Sequence, residues 1–184
     1  MLARRSTRAA LALLLCGASL AACEPEEDDD DIAWLELGQG EYTWQALAAG
    51  DALTLVRGQQ GLLMFPLQLR GGGFTLPPDP SDFTHPDAPQ LDISIDIEGF
   101  NELGFGGRFT RISGLPISFA PVGEDTYEFV YVPAITPDEL YEPCVIDKQP
   151  ATIYAALDVV DRVEPVLVEL EVVIEVPPAV DDCG

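Results

Sequence analysis

Short runs in which apolar and polar residues alternate constrain the fold of this chain more than any other feature of the sequence. In residues 91–98, leucine or isoleucine occupies every odd position, and aspartate, serine or glutamate occupies every even one. Residues 166–176 carry valine, leucine or isoleucine at even positions and glutamate at most odd ones. Such alternation puts one side of a strand in a core and the other in water. The sequence therefore predicts an all-β protein.

Further short strands are predicted between clusters of Gly, Pro and Asp, which mark turns. They are expected at residues 41–47, 52–57, 62–70, 102–105, 108–113, 116–122, 126–132 and 151–160. Pro66 predicts an edge position or a bulge for its strand, and Gly123-Glu124-Asp125 predicts a hairpin loop. Residues 77–89 are rich in proline and are expected to form a long loop. Residues 136–141 predict one helical turn, because Thr-Pro-Asp-Glu is a capping pattern with proline at the first helical position.

A total of about nine or ten short strands favours an immunoglobulin-like Greek-key β-sandwich, with a jelly roll or a small barrel as the alternative. The antibody-type order Cys…Trp…Cys is absent, because Trp34 and Trp44 both precede Cys144 and Cys183. One domain is expected over residues 32–184, a length that can bury a sizeable core.

The N-terminal segment is ordered by charge, hydrophobicity and residue size. Three arginines precede an apolar run that ends in Leu20-Ala21-Ala22-Cys23. The run has about 14 residues, fewer than the roughly 20 that a spanning helix needs, and this order is typical of an export signal. It resembles the signal and lipobox of bacterial lipoproteins. The resemblance implies that residues 1–22 are a signal peptide and that Cys23 becomes the lipidated first residue. Cys16 fits less well, because a leucine precedes it.

An acidic segment follows the anchor. Residues 24–31 contain seven acids, and a block of like charges stays solvated and cannot fold by itself. The segment, with Cys23, is predicted to be a tether that spans up to about 28 Å when extended. In enteric bacteria, the signal that keeps lipoproteins from reaching the outer membrane has aspartate directly after the anchor cysteine, and this chain has Glu24 at that position. The lipoprotein resemblance therefore implies anchoring in the outer membrane of a bacterial cell envelope.

The charge of the exported part excludes several classes of partner. All 32 acidic residues but only six of the nine basic ones follow residue 22, so this part carries a formal charge of −26. Nucleic acid is excluded because its binding depends on Lys and Arg that neutralise phosphates. Close contact with an anionic lipid surface is disfavoured for the same reason. Cationic partners or divalent ions are compatible with this charge, as is a simply solvated acidic surface.

Two cysteines, Cys144 and Cys183, remain beyond the anchor. Exported proteins meet an oxidising compartment, so this pair is predicted to form a disulfide that holds the C-terminal segment to the domain. A metal site is disfavoured there, because neither cysteine has another thiol or a histidine near it in sequence.

Catalytic and metal chemistry has few candidates. The only histidine, His85, lies in the proline-rich loop and no G-x-S-x-G motif is present, so no catalytic residue is predicted. Asp158 and Asp161 are the candidates for a calcium site if the chain bends between them, with a solvated acidic face as the alternative, since no EF-hand loop is present. Asp92 and Asp96 share a strand face but lie about 13 Å apart. No cofactor is expected.

One aromatic row is a candidate ligand platform. Tyr127, Phe129 and Tyr131 alternate along a predicted strand and would share one face, either as a sugar-binding surface or as a packing row. Met64 lies in an apolar strand and is expected to pack in the core or at an edge.

Three glycine-containing motifs follow the tether. They are Leu37-Gly38-Gln39-Gly40-Glu41, then Gly50-Asp51, then Val56-Arg57-Gly58-Gln59-Gln60-Gly61. Together they are similar to the start of uncharacterised lipoproteins of myxobacterial type, which carry a further Gly and a His where this chain has Leu62 and Leu63. The resemblance implies envelope location and fold class, and no activity.

These features favour a non-catalytic, lipid-anchored cell-envelope protein whose sandwich domain binds or supports another envelope protein or a glycan. A calcium- or carbohydrate-binding module is the alternative, and a hydrolase built on loop carboxylates is a third interpretation. The sequence does not indicate an oligomeric state.

Overall fold

A computed structural model describes residues 32–41, 43–181 and 183. The predicted signal peptide, the anchor Cys23 and the tether up to Asp31 lie outside the described residues. Within these residues the regular structure consists of strands and two short 3₁₀ helices, which confirms the all-β prediction. No helix in this part of the chain is both long enough and apolar enough to cross a membrane.

The strands form two sheets. The first contains β1 (Trp34–Gln39), β2 (Gln45–Ala46), β4 (Val56–Arg57), β5 (Leu63–Gly72), β8 (Ala120–Gly123) and β9 (Thr126–Ile135), in the order β2-β1-β5-β9-β8 with β4 also paired to β5. The second contains β3 (Ala52–Thr54), β6 (Gln90–Ile97), β7 (Thr110–Pro116), β10 (Pro150–Asp158) and β11 (Val166–Glu175), in the order β3-β11-β10-β6-β7. β3 and β11 are parallel.

This strand order is that of an immunoglobulin-like Greek key. The strands β1, β5, β9 and β8 correspond to an A-B-E-D sheet, and β11, β10 and β6 correspond to a G-F-C sheet that β7 extends by one strand. The chain crosses from one sheet to the other after β2, β3, β5, β7 and β9, so the strands enclose one core. The predicted sandwich is confirmed.

The core lies between the sheets and is formed by the side chains that alternation predicted to face inward. The odd-numbered residues of β6 are all buried, and Asp92 on its other face is exposed. Phe65, Phe109 and Phe119 are the largest fully buried side chains. Burial of a side chain of this size contributes about 1.5–3 kcal/mol. The two sheets are therefore held together mainly by apolar contact.

Two local predictions at the loops are corrected. Residues 102–105 are not a strand: a 3₁₀ helix, Asn101–Leu103, is followed by Gly106 and Gly107, both with positive φ, which an extended strand does not allow. Residues 136–141 are not a helix, since only a turn forms there, in which the Leu140 N–H donates to the Pro137 carbonyl. The second 3₁₀ helix follows at Pro143–Ile146.

Other strand predictions need smaller corrections. The strand expected at 41–47 is reduced to β2, and the one at 52–57 is divided between the two sheets as β3 and β4. Pro66 does not lie at an edge, because β5 pairs with β1 on one side and β9 on the other. The nearest bulge, opposite Gln68, has its extra residue in the partner strand β9 and not in β5, so the alternative prediction is not confirmed for this strand. The loop at 77–89 and the hairpin at Glu124-Asp125 are confirmed.

Gln39, in the first glycine-containing motif, joins the two sheets. Its side chain faces the core, where Nε2 donates to the Ala52 carbonyl at 2.8 Å and Oε1 accepts from the Thr54 N–H at 3.0 Å. Because β3 pairs with β11 along its other edge, the Gln39 amide takes the place of a neighbouring strand. On the opposite face, Gly38 leaves space for the Trp44 ring, which a Cβ would approach to 2.6 Å. The motif is thus required by packing.

Candidate functional site

A bulge in β9 separates the three aromatic residues that were predicted to share a face. Leu69 pairs with Phe129 and Leu67 pairs with Val132, so three steps along β9 match two along β5. The extra residue lies opposite the buried Gln68, whose Nε2 donates to the Val130 carbonyl at 3.2 Å. Bulges redirect side chains and are common beside functional sites.

The bulge turns Tyr131 to the outer face of the first sheet. Tyr127 packs against Phe74 and Phe119 at the core, with ring centroids 6.1 and 6.4 Å away, and Phe129 also contacts the core. The predicted row is therefore a packing row for its first two members only. Tyr131 is exposed on the opposite face.

Tyr131 lines a groove of about 530 Å³, which we call the Tyr131 groove. Its wall is formed by Glu41, Gly58, Gln59, Gln60, Leu62, Met64, Tyr131, Pro133 and Ile135. Leu62 and Ile135 are 42% and 43% exposed, so their apolar surface faces the opening. A concave, mainly apolar surface with a few polar groups is the usual composition of a ligand site.

The tight turn after β4 positions one side of the groove. The Gly58 N–H donates to the Leu62 carbonyl at 2.9 Å, and the Gly61 N–H donates to the Gly58 carbonyl at 2.8 Å. A Cβ on Gly58 would lie 2.5 Å from the methyl group at the flexible end of Met64, so the turn lies directly over the side chains of β5. This geometry places Gln59 and Gln60 at the groove.

The polar groups at the groove are few. The Tyr131 hydroxyl donates to the Met64 sulfur at 3.2 Å, which holds the ring in place over the groove. Glu41 contributes one carboxylate, and Gln59 and Gln60 contribute amides that both donate and accept hydrogen bonds. The arrangement suits a ligand that has an apolar face and hydrogen-bonding groups at its rim.

The outer face of the second sheet carries a second arrangement, which we call the Tyr154 face. Arg111, Ser94, Tyr154 and Glu169 lie directly opposite one another on β7, β6, β10 and β11. Arg108 stacks on Tyr154, with its guanidinium carbon 4.7 Å from the ring centroid, and forms an ion pair with Asp96.

The two rows beside this one are also set by the strand register. Asp92, Ala156 and Leu167 form one of them, and the Asp92 carboxylate accepts from the Gly114 N–H at 2.7 Å. Asp96, Thr152 and Glu171 form the other. The arginines are thus at the β7 side of the face, and the glutamates are on β11.

The structure places the candidate residues His85 and Asp161 in loops and Asp158 at the end of a strand. His85 accepts a hydrogen bond from the Asp87 N–H at Nδ1, 3.1 Å away, within its loop. Asp161 accepts from the Thr75 N–H at 2.8 Å. Burial raises the pKa of Asp161, but the hydrogen bonds from Thr75 outweigh burial and lower it below its usual value. Asp158 is exposed at the end of β10.

The structure also bears on the predicted calcium ligands and on the predicted disulfide. In residues 32–41, 43–181 and 183, no three His, Cys, Asp or Glu side chains are grouped to hold a metal ion. The calcium candidates Asp158 and Asp161 therefore have no third such ligand there. Cys144 and Cys183 form a disulfide with their Cα atoms 5.2 Å apart.

Sequence reasoning named Tyr131 as a candidate ligand residue but did not bring it together with the other residues of the Tyr131 groove, and it did not identify the Tyr154 face. The glycine-framed pair Gln59-Gln60 was the available signal for the Tyr131 groove. The central position of Tyr154 depends on strands that are far apart in sequence, so only the strand register reveals it. A comparison of the chain with protein-family models and with curated proteins finds no match.

Proposed function

We propose that this protein is a non-catalytic, lipid-anchored component of a bacterial cell envelope, most simply of the outer membrane, and that its domain binds another envelope component through the Tyr131 groove. The lipobox-like segment before Cys23 supports the anchor. The groove supports binding, because its lining is apolar and amide-rich and, among the described residues that form it, only Glu41 and Tyr131 are titratable.

The position of the groove relative to the chain's entry into the domain carries this proposal. Ile32 lies against Gly73, at the end of β5 that pairs with the start of β1. Met64 and the groove lie near the other end of β5, eight residues or about 26 Å away. A tether that leaves at Ile32 would therefore leave from the end of the domain opposite the groove, so the anchor and the groove do not obstruct each other.

Photo-crosslinking from the groove tests the binding proposal. The full chain carries a benzoylphenylalanine at Leu62 in membranes of the native host. The matched control carries it at Val163, an exposed residue beyond β10, where Arg162 Nη2 donates to the Gly73 carbonyl at 3.0 Å. We expect a discrete adduct from Leu62 only, reduced about tenfold by Y131A. Equal adducts from both positions, or none from Leu62, would contradict the proposal.

Mass measurement tests the anchor separately. The intact mature chain should begin at Cys23 and carry the mass of at least two acyl chains, since one chain gives only marginal membrane binding. The C23S variant should lack this added mass and leave the membrane fraction. A mature protein without acyl groups would refute the anchor and leave the result at the groove unaffected.

A carbohydrate-binding module is the second candidate function. The observation that favours it is the combination of the exposed Tyr131 ring with the amides of Gln59 and Gln60 and the carboxylate of Glu41. An aromatic face can contact a sugar ring while the polar groups bind its hydroxyls. A glycan array probed with the full chain and with Y131A, with and without calcium, tests this. Binding that Y131A does not weaken would reject the groove as a glycan site.

A further inference from the structure

We infer that the Tyr154 face is an interface with a second copy of this chain, with the two copies side by side and in the same orientation. The contact surface stands apart from the Tyr131 groove, which is on the other sheet. Only the argument about shared orientation rests on the proposed lipid anchor.

The face has opposite charges at its two sides. Arg111 and Glu169 lie three strand spacings apart, or about 14 Å, at opposite ends of one cross-strand row. Among the described residues, the hydrogen bond that Arg111 makes is from Nε to the Ser113 hydroxyl at 2.9 Å, and no carboxylate lies within salt-bridge distance of it. In a chain of formal charge −23, an exposed arginine without an acidic partner in its own copy is available to a carboxylate of another molecule.

A two-fold axis parallel to the strands makes this face complementary to itself. Such an axis places β7 of one copy opposite β11 of the other, and β6 opposite β10. Arg111 then meets Glu169 of the second copy, and the symmetry repeats the contact. At the next strand, the bulky Tyr154 meets the small Ser94.

The size of the side chains also matches in the neighbouring row. Leu167 on β11 is 69% exposed. On the opposite side of the face, Gly114 is held next to Asp92 by a hydrogen bond. The same two-fold axis places Leu167 of one copy over Gly114 of the other. Large side chains thus meet small ones, and arginine meets glutamate, under a single symmetry operation.

The dimensions of the face are sufficient for a dimer. The four strands that the axis pairs cover about 19 Å, at about 4.8 Å for each strand, and the nine residues of β10 extend about 30 Å. This plane is of the order of the ~800 Å² per partner that specific interfaces bury. Because the axis is parallel to the strands, both copies have Ile32 at the same end. Two anchored chains can therefore form this contact in one membrane.

Charge reversal on the face tests the inference. The dissociation constant of the dimer is measured by sedimentation of the full chain in a density-matched detergent at about 0.15 M salt, where charges more than about 8 Å apart are screened. R111E and E169R should each weaken the dimer about tenfold or more, because like charges then meet twice. The double variant R111E/E169R should recover the wild-type value. E139R is the control for E169R, because it makes the same charge change in the β9–β10 loop; the double variant is the control for R111E, because it restores the net charge.

Two results would overturn the inference. One is a wild-type chain that remains monomeric up to about 0.1 mM. The other is a dimer that R111E and E169R affect no more than E139R does. Thermal midpoints of all variants exclude unfolding as a cause, since exposed substitutions normally change stability by no more than about 0.5 kcal/mol. Acyl mass is measured on the same samples, so a missing anchor and a missing dimer are separate outcomes.

Discussion

Replacement of Gln39 by methionine should lower the free energy of unfolding by about 2–3 kcal/mol. Gln39 is 7% exposed, and methionine has a similar length and volume, so the change removes the amide without opening a cavity. What is lost is the pair of hydrogen bonds to Ala52 and Thr54, which satisfy the edge of β3 that faces away from β11.

The magnitude follows because the substitution leaves the Ala52 carbonyl and the Thr54 N–H without hydrogen-bond partners. A buried polar group without a partner costs about 1–3 kcal/mol. Both contacts are partly buried, so water can reach the Ala52 carbonyl and the Thr54 N–H in part, and the low end of that range, about 1–1.5 kcal/mol, applies to each. The sum of the two is the expected loss.

Urea unfolding followed by tryptophan fluorescence provides the measurement, because Trp34 lies on β1 and Trp44 packs on Gly38 of that strand. The thermal midpoint should fall by about 4–12 °C for a domain of this size. Q45M is the control, because Gln45 is exposed on β2. A difference between Q39M and Q45M below about 0.5 kcal/mol would refute the idea that this amide substitutes for a strand.

Two further predictions concern the disulfide and the loss of stability at acidic pH. The variant C144S/C183S should be about 4 kcal/mol less stable in urea, because the disulfide closes a loop with a sequence separation of 39 and loop entropy sets this scale; a loss below about 1 kcal/mol would contradict it. The pKa of Asp161 is lowered because the Thr75 hydrogen bonds outweigh burial. Its contribution to stability is therefore present at neutral pH and is lost as the pH falls through its folded-state pKa. D161N should flatten the decrease of the thermal midpoint below pH 4, and the control D158N should not; equal slopes in both variants would contradict the assignment.

The alternating strands could be predicted because the information is local. In β6, side chains alternate between the two faces of the strand. This alternation predicts that every odd-numbered residue is buried, and the structure confirms it. The disulfide was also predictable, since Cys144 and Cys183 are the two cysteines left after the signal region. The sandwich class followed from strand number and spacing. In each case, one short stretch or a count of residues was sufficient.

The candidate surfaces could not be predicted because they depend on pairing between distant strands. The side on which Tyr131 lies is decided by a bulge that forms against Gln68, 63 residues earlier in the chain. Alternation alone placed Tyr131 with Tyr127 and Phe129, and one extra residue reversed that placement. Likewise, Tyr154 is central only because β6 and β11 flank β10.

The way the C-terminal segment is fastened has a practical consequence for labelling. Arg57 donates from Nη2 to the Val180 carbonyl at 3.2 Å, and Cys183 is bonded to Cys144. Arg57 immediately precedes the turn that forms one wall of the groove. A purification handle or fluorescent reporter appended after Cys183 would consequently begin three residues beyond the Val180 contact with Arg57, on the side of the domain that carries this wall. Reporters are better inserted in the β8–β9 hairpin at Glu124, which is exposed and lies near Gly72, at the far end of β5.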